Sequence, residues 1–460
     1  RLQAAAPPAH SAATASSNVA RGRLVAAYLA SPDIIRAFGA QGRYDPTSGL
    51  AITDWNMVLT AAQRIANRLK STGYNGAVIC VAADGGSLTP AALFGNSPRF
   101  DNGRLASDGA DPMPKDILEA FCRVFDRESL RLIPVVQLAT PTPALEASVQ
   151  NSNPAGDGLL CIDDAGQGRR QRLGSPPSNG PYYNLLHTEV QQQLIDATLK
   201  LTRRYVDHPC LAGIGMQLPA HGYGVLPPPA WGLDPATFER FAASAGLPFD
   251  KSSPSPLEDR RTQVLGPAAD AWQAWRQSEL TAFYQKLAAR LQEEDSRLRL
   301  VLCTEQTLDG RQAKNELRKA VAGRGSYRRA WELAGLDAEK LTTTPGLLLL
   351  RPRSIGSSLA AEHRLVDRHV HQAAAVDTLC SARGNDGTLV YYSAEPLELP
   401  TFNQQSPFGA ANTQLRTSAT ASPGGRDLRR ALTEAVAAND WSVFVEGGNA
   451  WLIADDPQRR

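Results

Sequence analysis

The sequence predicts an α/β fold, a (β/α)8 barrel of the TIM type, on three observations. Eight short apolar runs recur along the 460 residues, and amphipathic stretches of helical period follow most of them. No Gly-rich phosphate fingerprint opens a helix after a strand, which argues against an open doubly wound sheet. In chain order the runs are Leu24–Leu29, Ala77–Ala82, Leu132–Leu138, Leu211–Leu218, Leu298–Cys303, Gly346–Leu350, Thr388–Tyr392 and Ser442–Val445. They have strand length and lack the strict polar alternation of a half-solvated sheet, so they read as strands buried on both faces. The helical stretches are Asn56–Ser71, Pro114–Ser129, Thr188–Val206, Pro235–Ala245, Pro267–Glu294, Ala313–Ala334, Leu359–Cys380 and Asp427–Ala438. In Thr188–Val206, Val190, Leu194, Ala197, Leu201 and Tyr205 share one face. Asp234-Pro235 and Asp111-Pro112-Met113-Pro114 supply the polar cap followed by Pro that starts a helix.

Strand–helix–strand order demands parallel pairing through right-handed crossovers, and eight such units close most economically into a barrel. Gly213-Ile214-Gly215 falls inside a strand and lacks the third glycine of a dinucleotide site. Residues 1–20 read as a linker-like Ala/Pro/Ser tail, and 21–456 as one barrel. Such a tail often follows a removed signal peptide and equally suits a linker remnant; the chain opens at Arg1 and stops at Arg460, so a continuation is a further expectation. Two connections, about 139–187 and 219–267, are far longer than the usual few residues. Both follow the C-terminal end of a strand, the face where barrel active sites are built.

Composition narrows the function classes. Charged residues make up 20% of the chain and the net charge is +2, which excludes a polyelectrolyte and argues against a nucleic-acid binder. The Arg doublets at 169, 203, 260 and 328 are scattered without interleaved aromatics, and each reads as a solvated face. No run approaches the ~18–20 apolar residues of a membrane span, so no membrane insertion is expected. The six cysteines are widely and irregularly spaced and read as small core residues. No cofactor and no metal site are expected, because ligand-spaced His, Cys and Asp clusters are missing from the sequence. Trp272 and Trp275, with Phe283 and Tyr284, read as helix core packing, and the oligomeric state stays open.

The chemistry must come from the strand tips. These carry Asp84 at the second strand, Gln137 at the third, Gln217, His221 and Tyr223 at the fourth, and Glu305 at the fifth. Arg351 and Arg353 follow at the sixth, Tyr392 and Glu395 at the seventh, and Glu446 with Gly447-Gly448 at the eighth; His187 closes the first long connection. Carboxylates, amides and aromatics together suit a carbohydrate: polar groups bond hydroxyls and aromatic faces stack on sugar rings. Glycosidic hydrolysis needs two carboxyl groups, about 5–5.5 Å apart for retention or ~6.5–9.5 Å for inversion. Glu395 and Glu305 are the best pair, with a caps-and-ion-pairs role as the alternative. Asp84, Gln137, His187, Gln217, His221, Tyr223, Arg351, Arg353 and Tyr392 are the candidate substrate contacts.

From Asn56 to about Asp456 the chain resembles the family-10-like glycoside hydrolase proteins. The resemblance is carried by Gly73-Tyr74-Asn75-Gly76, Pro98-Arg99-Phe100-Asp101-Asn102-Gly103, Tyr182-Tyr183-Asn184-Leu185-Leu186-His187 and Gly213-Ile214-Gly215-Met216-Gln217-Leu218. Trp231-Gly232-Leu233-Asp234, Leu350-Arg351-Pro352-Arg353 and Ser406-Pro407-Phe408-Gly409 extend it. It implies a glycosidase-type barrel, a carbohydrate partner and an exported protein. Related barrel glycosidases place an acid after the fourth strand and a nucleophilic Glu at the seventh. Glu395 matches the second position, whereas Gln217 stands near the first and cannot donate a proton as an acid does. Either Glu305 supplies the acid, or the barrel binds glycan without cutting it. A weaker alternative is lyase chemistry on an acidic glycan, with Tyr392 or His221 as base.

Overall fold

The structure is a computed structural model, and it describes residues 24–29, 43–44, 51–52, 55–83, 86–94, 116–151, 157–169, 182–248, 255–304, 306–321, 324–354, 390–393 and 441–445. Eight parallel strands form a curled sheet: β1 (Leu24–Leu29), β4 (Gly76–Ala83), β6 (Arg131–Gln137), β7 (Gly213–Gln217), β8 (Arg299–Cys303), β9 (Leu347–Ser354), β10 (Val390–Ser393) and β11 (Trp441–Val445). β2 (Arg43–Tyr44) and β3 (Ala51–Ile52) make a separate antiparallel pair, and β5 (Gly86–Ser87) folds back on β4. The parallel order is β1-β4-β6-β7-β8-β9-β10-β11, and β1 also pairs in parallel with β11.

Strand alternation builds two cores from this one sheet. Leu24, Ala26, Tyr28, Val78, Ile133, Val135, Val301, Cys303, Leu348 and Leu350 form an inner cluster. Side chains from β1 and β8 meet there because the sheet curls. The intervening residues, among them Leu132, Ile214, Met216, Leu300, Leu302, Leu347 and Leu349, join an outer cluster against the helices. The Gly213-Ile214-Gly215 segment is a packing device. A Cβ on Gly213 would stand 2.2 Å from the Arg299 carbonyl oxygen, and one on Gly215 would stand 2.6 Å from Val135 Cγ2. Glycine here admits a neighbouring strand rather than a phosphate.

The outer layer comprises α1 (Trp55–Thr72), α2 (Ala91–Phe94), α3 (Ile117–Arg127), α4 (Pro143–Asn151), α5 (Thr188–Tyr205), α6 (Pro235–Ala245), α7 (Pro256–Leu265), α8 (Ala269–Glu294), α9 (Arg311–Val321), α10 (Tyr327–Leu333) and α11 (Ala338–Thr342). α6 starts as its sequence predicts: the Asp234 carboxylate accepts from Thr237 N at 2.8 Å, Pro235 opens the first turn, and Gly246 ends the helix at φ 65°. α3 starts later than predicted, because Asp116 is the cap and accepts from Glu119 N at 3.1 Å.

Three differences from the sequence reading have local causes. The single helix expected over 313–334 is two, because Ser326 caps a fresh start and accepts from Arg329 N. The long connections hold helices the sequence reading left out: the first holds α4, and the second holds α7 beside the predicted α6. Among the Arg doublets, Arg169 is only 7% exposed and Arg260 6%, so neither lies on a solvated face. Arg260 Nε donates to the Leu233 carbonyl at 2.8 Å, and burial lowers its pKa. The aromatic stripe of α8 is core, as its helical spacing indicates. Trp272 is fully buried, stacks on Trp275 with centroids 5.4 Å apart, and donates its indole N–H to the Pro229 carbonyl. Cys80, Cys122, Cys161, Cys210 and Cys303 are buried and outside any disulfide, in keeping with a packing role. No helix among the described residues is long and apolar enough to cross a membrane.

Candidate functional site

The C-terminal ends of β6, β7 and β8 form one polar edge. Gln137 and Gln217 are register partners on β6 and β7, and Gln137 Nε2 donates to Gln217 Oε1 at 3.2 Å. Both amides are buried, at 9% and 2% exposure, and Gln137 Oε1 has no hydrogen-bond partner among the described residues. Thr140, whose backbone N–H returns to the Gln137 carbonyl, carries a second unmatched atom in its buried Oγ1. A buried acceptor without a donor costs about 1–3 kcal/mol, so a partner from outside the described residues belongs at this edge.

The second long connection closes over that edge. Tyr223 N donates to the Leu138 carbonyl at 2.7 Å and Tyr223 Oη to the Thr140 carbonyl at 2.9 Å. Tyr183 packs edge-on against the Tyr223 ring, with centroids 4.9 Å apart, and donates to Glu146. Burial above all pushes both phenols well above the usual tyrosine range, helped at Tyr183 by Tyr223 and Glu146 and at Tyr223 by Glu146. They are protonated donors holding the loop, not bases. Just after β8, Thr304 Oγ1 donates to the Leu350 carbonyl and Thr307 Oγ1 to the Leu218 carbonyl, stapling three strand ends together. Beside them a cleft of about 410 Å³ opens between Val225–Pro228 and Thr307–Ala313, with Arg311 and Gln312 as its polar wall.

One further assembly was not legible beforehand. The Arg169 guanidinium lies 4.2 Å from the Tyr182 ring centroid and donates to the His221 carbonyl, while Tyr182 meets Trp231 edge-on at 5.3 Å. Arg169 Nε has no hydrogen-bond partner among the described residues. Burial raises the Tyr182 pKa, with nearby Arg169 opposing it. The arginine reads as half of a solvated doublet in sequence because its aromatic partner is supplied from the far end of the same connection.

Of the predicted contacts, Gln137, Gln217 and Tyr223 therefore come together, and His221 sits beside them with an exposed side chain. His187 does not join them; its Nδ1 caps α5 by accepting from Glu189 N at 3.3 Å. Arg351 and Arg353 occupy the β9 positions that continue Leu347 and Leu349, and Tyr392 is the register partner of Arg353. Asp84, Glu305 and Glu395 lie outside the described residues. No group of three His, Cys, Asp or Glu suited to a metal stands together among the described residues.

No protein-family model matches the chain, and no curated protein matches it. Solved structures do. A catalytic mutant of a GH42 β-galactosidase from G. stearothermophilus aligns at TM-score 0.47 and 11% identity, over 93% of this chain and 51% of that one. The β-galactosidase from Bacillus circulans sp. alkalophilus gives 0.43 and 11%, over 92% and 50%. The β-1,4-D-mannanase from Cryptopygus antarcticus gives 0.35 and 10%, over 94% and 88%. These neighbours are glycoside hydrolases. The chain spans about half the length of the two β-galactosidases.

Proposed function

We propose that the chain is a glycoside hydrolase-like protein of the family-10-like kind, a full (β/α)8 barrel over 21–456 that acts on an oligo- or polysaccharide at the strand ends. The observation that carries the reading is the polar edge of β6, β7 and β8. Two buried amides, an amide oxygen and a hydroxyl unmatched among the described residues, and a nearby Tyr–Trp–Arg cluster offer hydroxyl partners and aromatic surface together. In this reading Gln137 Oε1 accepts a sugar hydroxyl, and Gln217 fixes the amide that presents it.

Chain position supports Glu305 and Glu395 as the reacting carboxyls. Each comes two residues after a parallel strand ends, at Cys303 and Ser393 respectively. One protonates the leaving oxygen, and the other serves as nucleophile or as base for water, according to their separation. A second reading, glycan binding without cleavage, is favoured by Gln217, since an amide at the tip of β7 supplies no proton. Neutral oligosaccharides incubated with the full chain and assayed for reducing ends decide between them. Turnover is the expected result; saturable binding with no new reducing ends supports the second reading, and neither binding nor turnover sinks both.

A further inference from the structure

α3 grips the turn that leads into β7 at two points. Cys122 and Asp126, four residues apart, share the helix face that meets this turn. The Asp126 carboxylate accepts from Cys210 N at 2.7 Å, and Cys210 Sγ donates to the Cys122 carbonyl at 3.6 Å. The Cys122 thiol is itself in hydrogen-bonding contact with the Cys210 thiol. Both residues are fully buried. His208, on the same turn, lies between Asp126 and Glu119 of α3, so the backbone that carries Cys210 is held against the helix that carries Cys122. A buried cysteine packs as a small hydrophobe on its own. Two buried cysteines with meeting thiols, on backbones fixed against each other, also have a covalent bond within reach.

The geometry points to Cys122 and Cys210 as a thiol pair that closes into a disulfide when the chain folds in the presence of a small-molecule disulfide. In the folded, reduced state the pair is slow to react. Contact with Cys122, with burial next, pushes the Cys210 thiol well above the usual cysteine range, and only a thiolate attacks a disulfide. Exchange therefore belongs to the stage before α3 docks on the turn. One cysteine thiolate attacks glutathione disulfide, forms a mixed disulfide with it and releases one glutathione. The second thiolate attacks the cysteine sulfur of that bond and releases the other glutathione. The two protein thiols lose two electrons and two protons, and glutathione disulfide takes them up as two molecules of glutathione. Once formed, the bond is covered by α3 and shielded from reductant. It joins residues 88 apart in the chain and so restricts the unfolded state over a long loop. The pair lies at the opposite end of β7 from Gln217, so neither its closure nor its test involves glycan.

The full chain is treated with glutathione disulfide both folded and during refolding from denaturant. Each sample is then blocked with N-ethylmaleimide in denaturant and digested without reduction for mass spectrometry. The expected result, in the refolded sample above all, is a linked pair of peptides carrying Cys122 and Cys210. It should be lighter than its two halves by two hydrogens and should separate on reduction, with the other cysteines recovered as maleimide adducts. The oxidised chain should melt at least about 5 °C above the same chain after reduction. Cys122→Ala and Cys210→Ala should each melt at one temperature with and without reductant. Recovery of both cysteines as maleimide adducts in both samples would overturn the proposal, as would a bond from either one to a different cysteine.

Discussion

The entry to β7 and its exit handle polar groups in opposite ways. At the entry, His208 is clasped between two carboxylates of α3: Nδ1 lies 2.5 Å from Asp126 Oδ2 and Nε2 3.0 Å from Glu119 Oε2. Asp126 Oδ1 also accepts from Cys210 N at 2.7 Å, so one carboxyl group ties α3 to two points of the turn that leads into β7. At the exit, Gln217 and Gln137 are neutral, and Gln137 Oε1 and the nearby Thr140 Oγ1 have no hydrogen-bond partner among the described residues. Charge satisfied in a closed network stabilises; neutral donors and acceptors left open are what a hydroxylated ligand needs. Under the proposed barrel and glycan reading, the two ends of the strands divide stability and function in this way.

The comparison breaks most visibly at Asp126. Asp126→Ala strands the Cys210 N–H and one imidazole nitrogen, and should cost about 2–3 kcal/mol in denaturant unfolding. Turnover per folded molecule should not change; a specific loss of activity would dissolve the division between the two ends. Gln137→Leu should behave in the reverse sense. It removes a buried amide whose oxygen is already unmatched, so stability should move by less than about 1 kcal/mol while glycan affinity falls about tenfold. A large destabilisation with unchanged affinity would make the amide pair structural.

Acidity sharpens the contrast further. Burial, the strongest single influence on His208, pulls its pKa down, but the hydrogen bonds and charges of Asp126 and Glu119 outweigh it and leave the imidazole raised. Its stabilisation is therefore full below the ordinary histidine value and fades as pH rises through the elevated folded value. Burial likewise pushes Glu119 upward, yet hydrogen bonds to Arg123 and His208 hold it below the ordinary carboxylate range. That contribution is full above the ordinary glutamate value and is lost as pH falls through the lowered one. Melting temperature against pH should thus show a plateau bounded on both sides, and His208→Asn should flatten its alkaline flank. The smallest effect is expected at the exposed Lys70–Glu128 pair, 2.9 Å apart, where Lys70→Ala should change stability by no more than about 0.5 kcal/mol.

The strands were legible because burial on both faces leaves uninterrupted apolar runs, such as Leu347 to Leu350. Their parallel order followed from the helices between them. Helices α4 and α7 were hidden, since short segments such as Pro256–Leu265, with only Arg260 and Val264 buried, have little amphipathic contrast. Gln137 and Gln217 were recognisable as strand-tip residues, but their pairing and the unmatched oxygen depend on register. His187 carried the right chemistry for a ligand contact at the edge, yet a hydrogen bond two residues along the chain commits it to capping α5. Arg169 was misread because its surroundings are set by Tyr182 and the His221 carbonyl, both remote in sequence.

The central claim is that glycan is cleaved at the strand ends by carboxylates following β8 and β10. The initial rate of reducing-end release by wild type, Glu305→Gln and Glu395→Gln, each verified as folded by its melting curve, tests it most directly. The account predicts a loss of at least about 100-fold in each variant, the scale of a missing acid or base. Wild-type rates in both variants would contradict it.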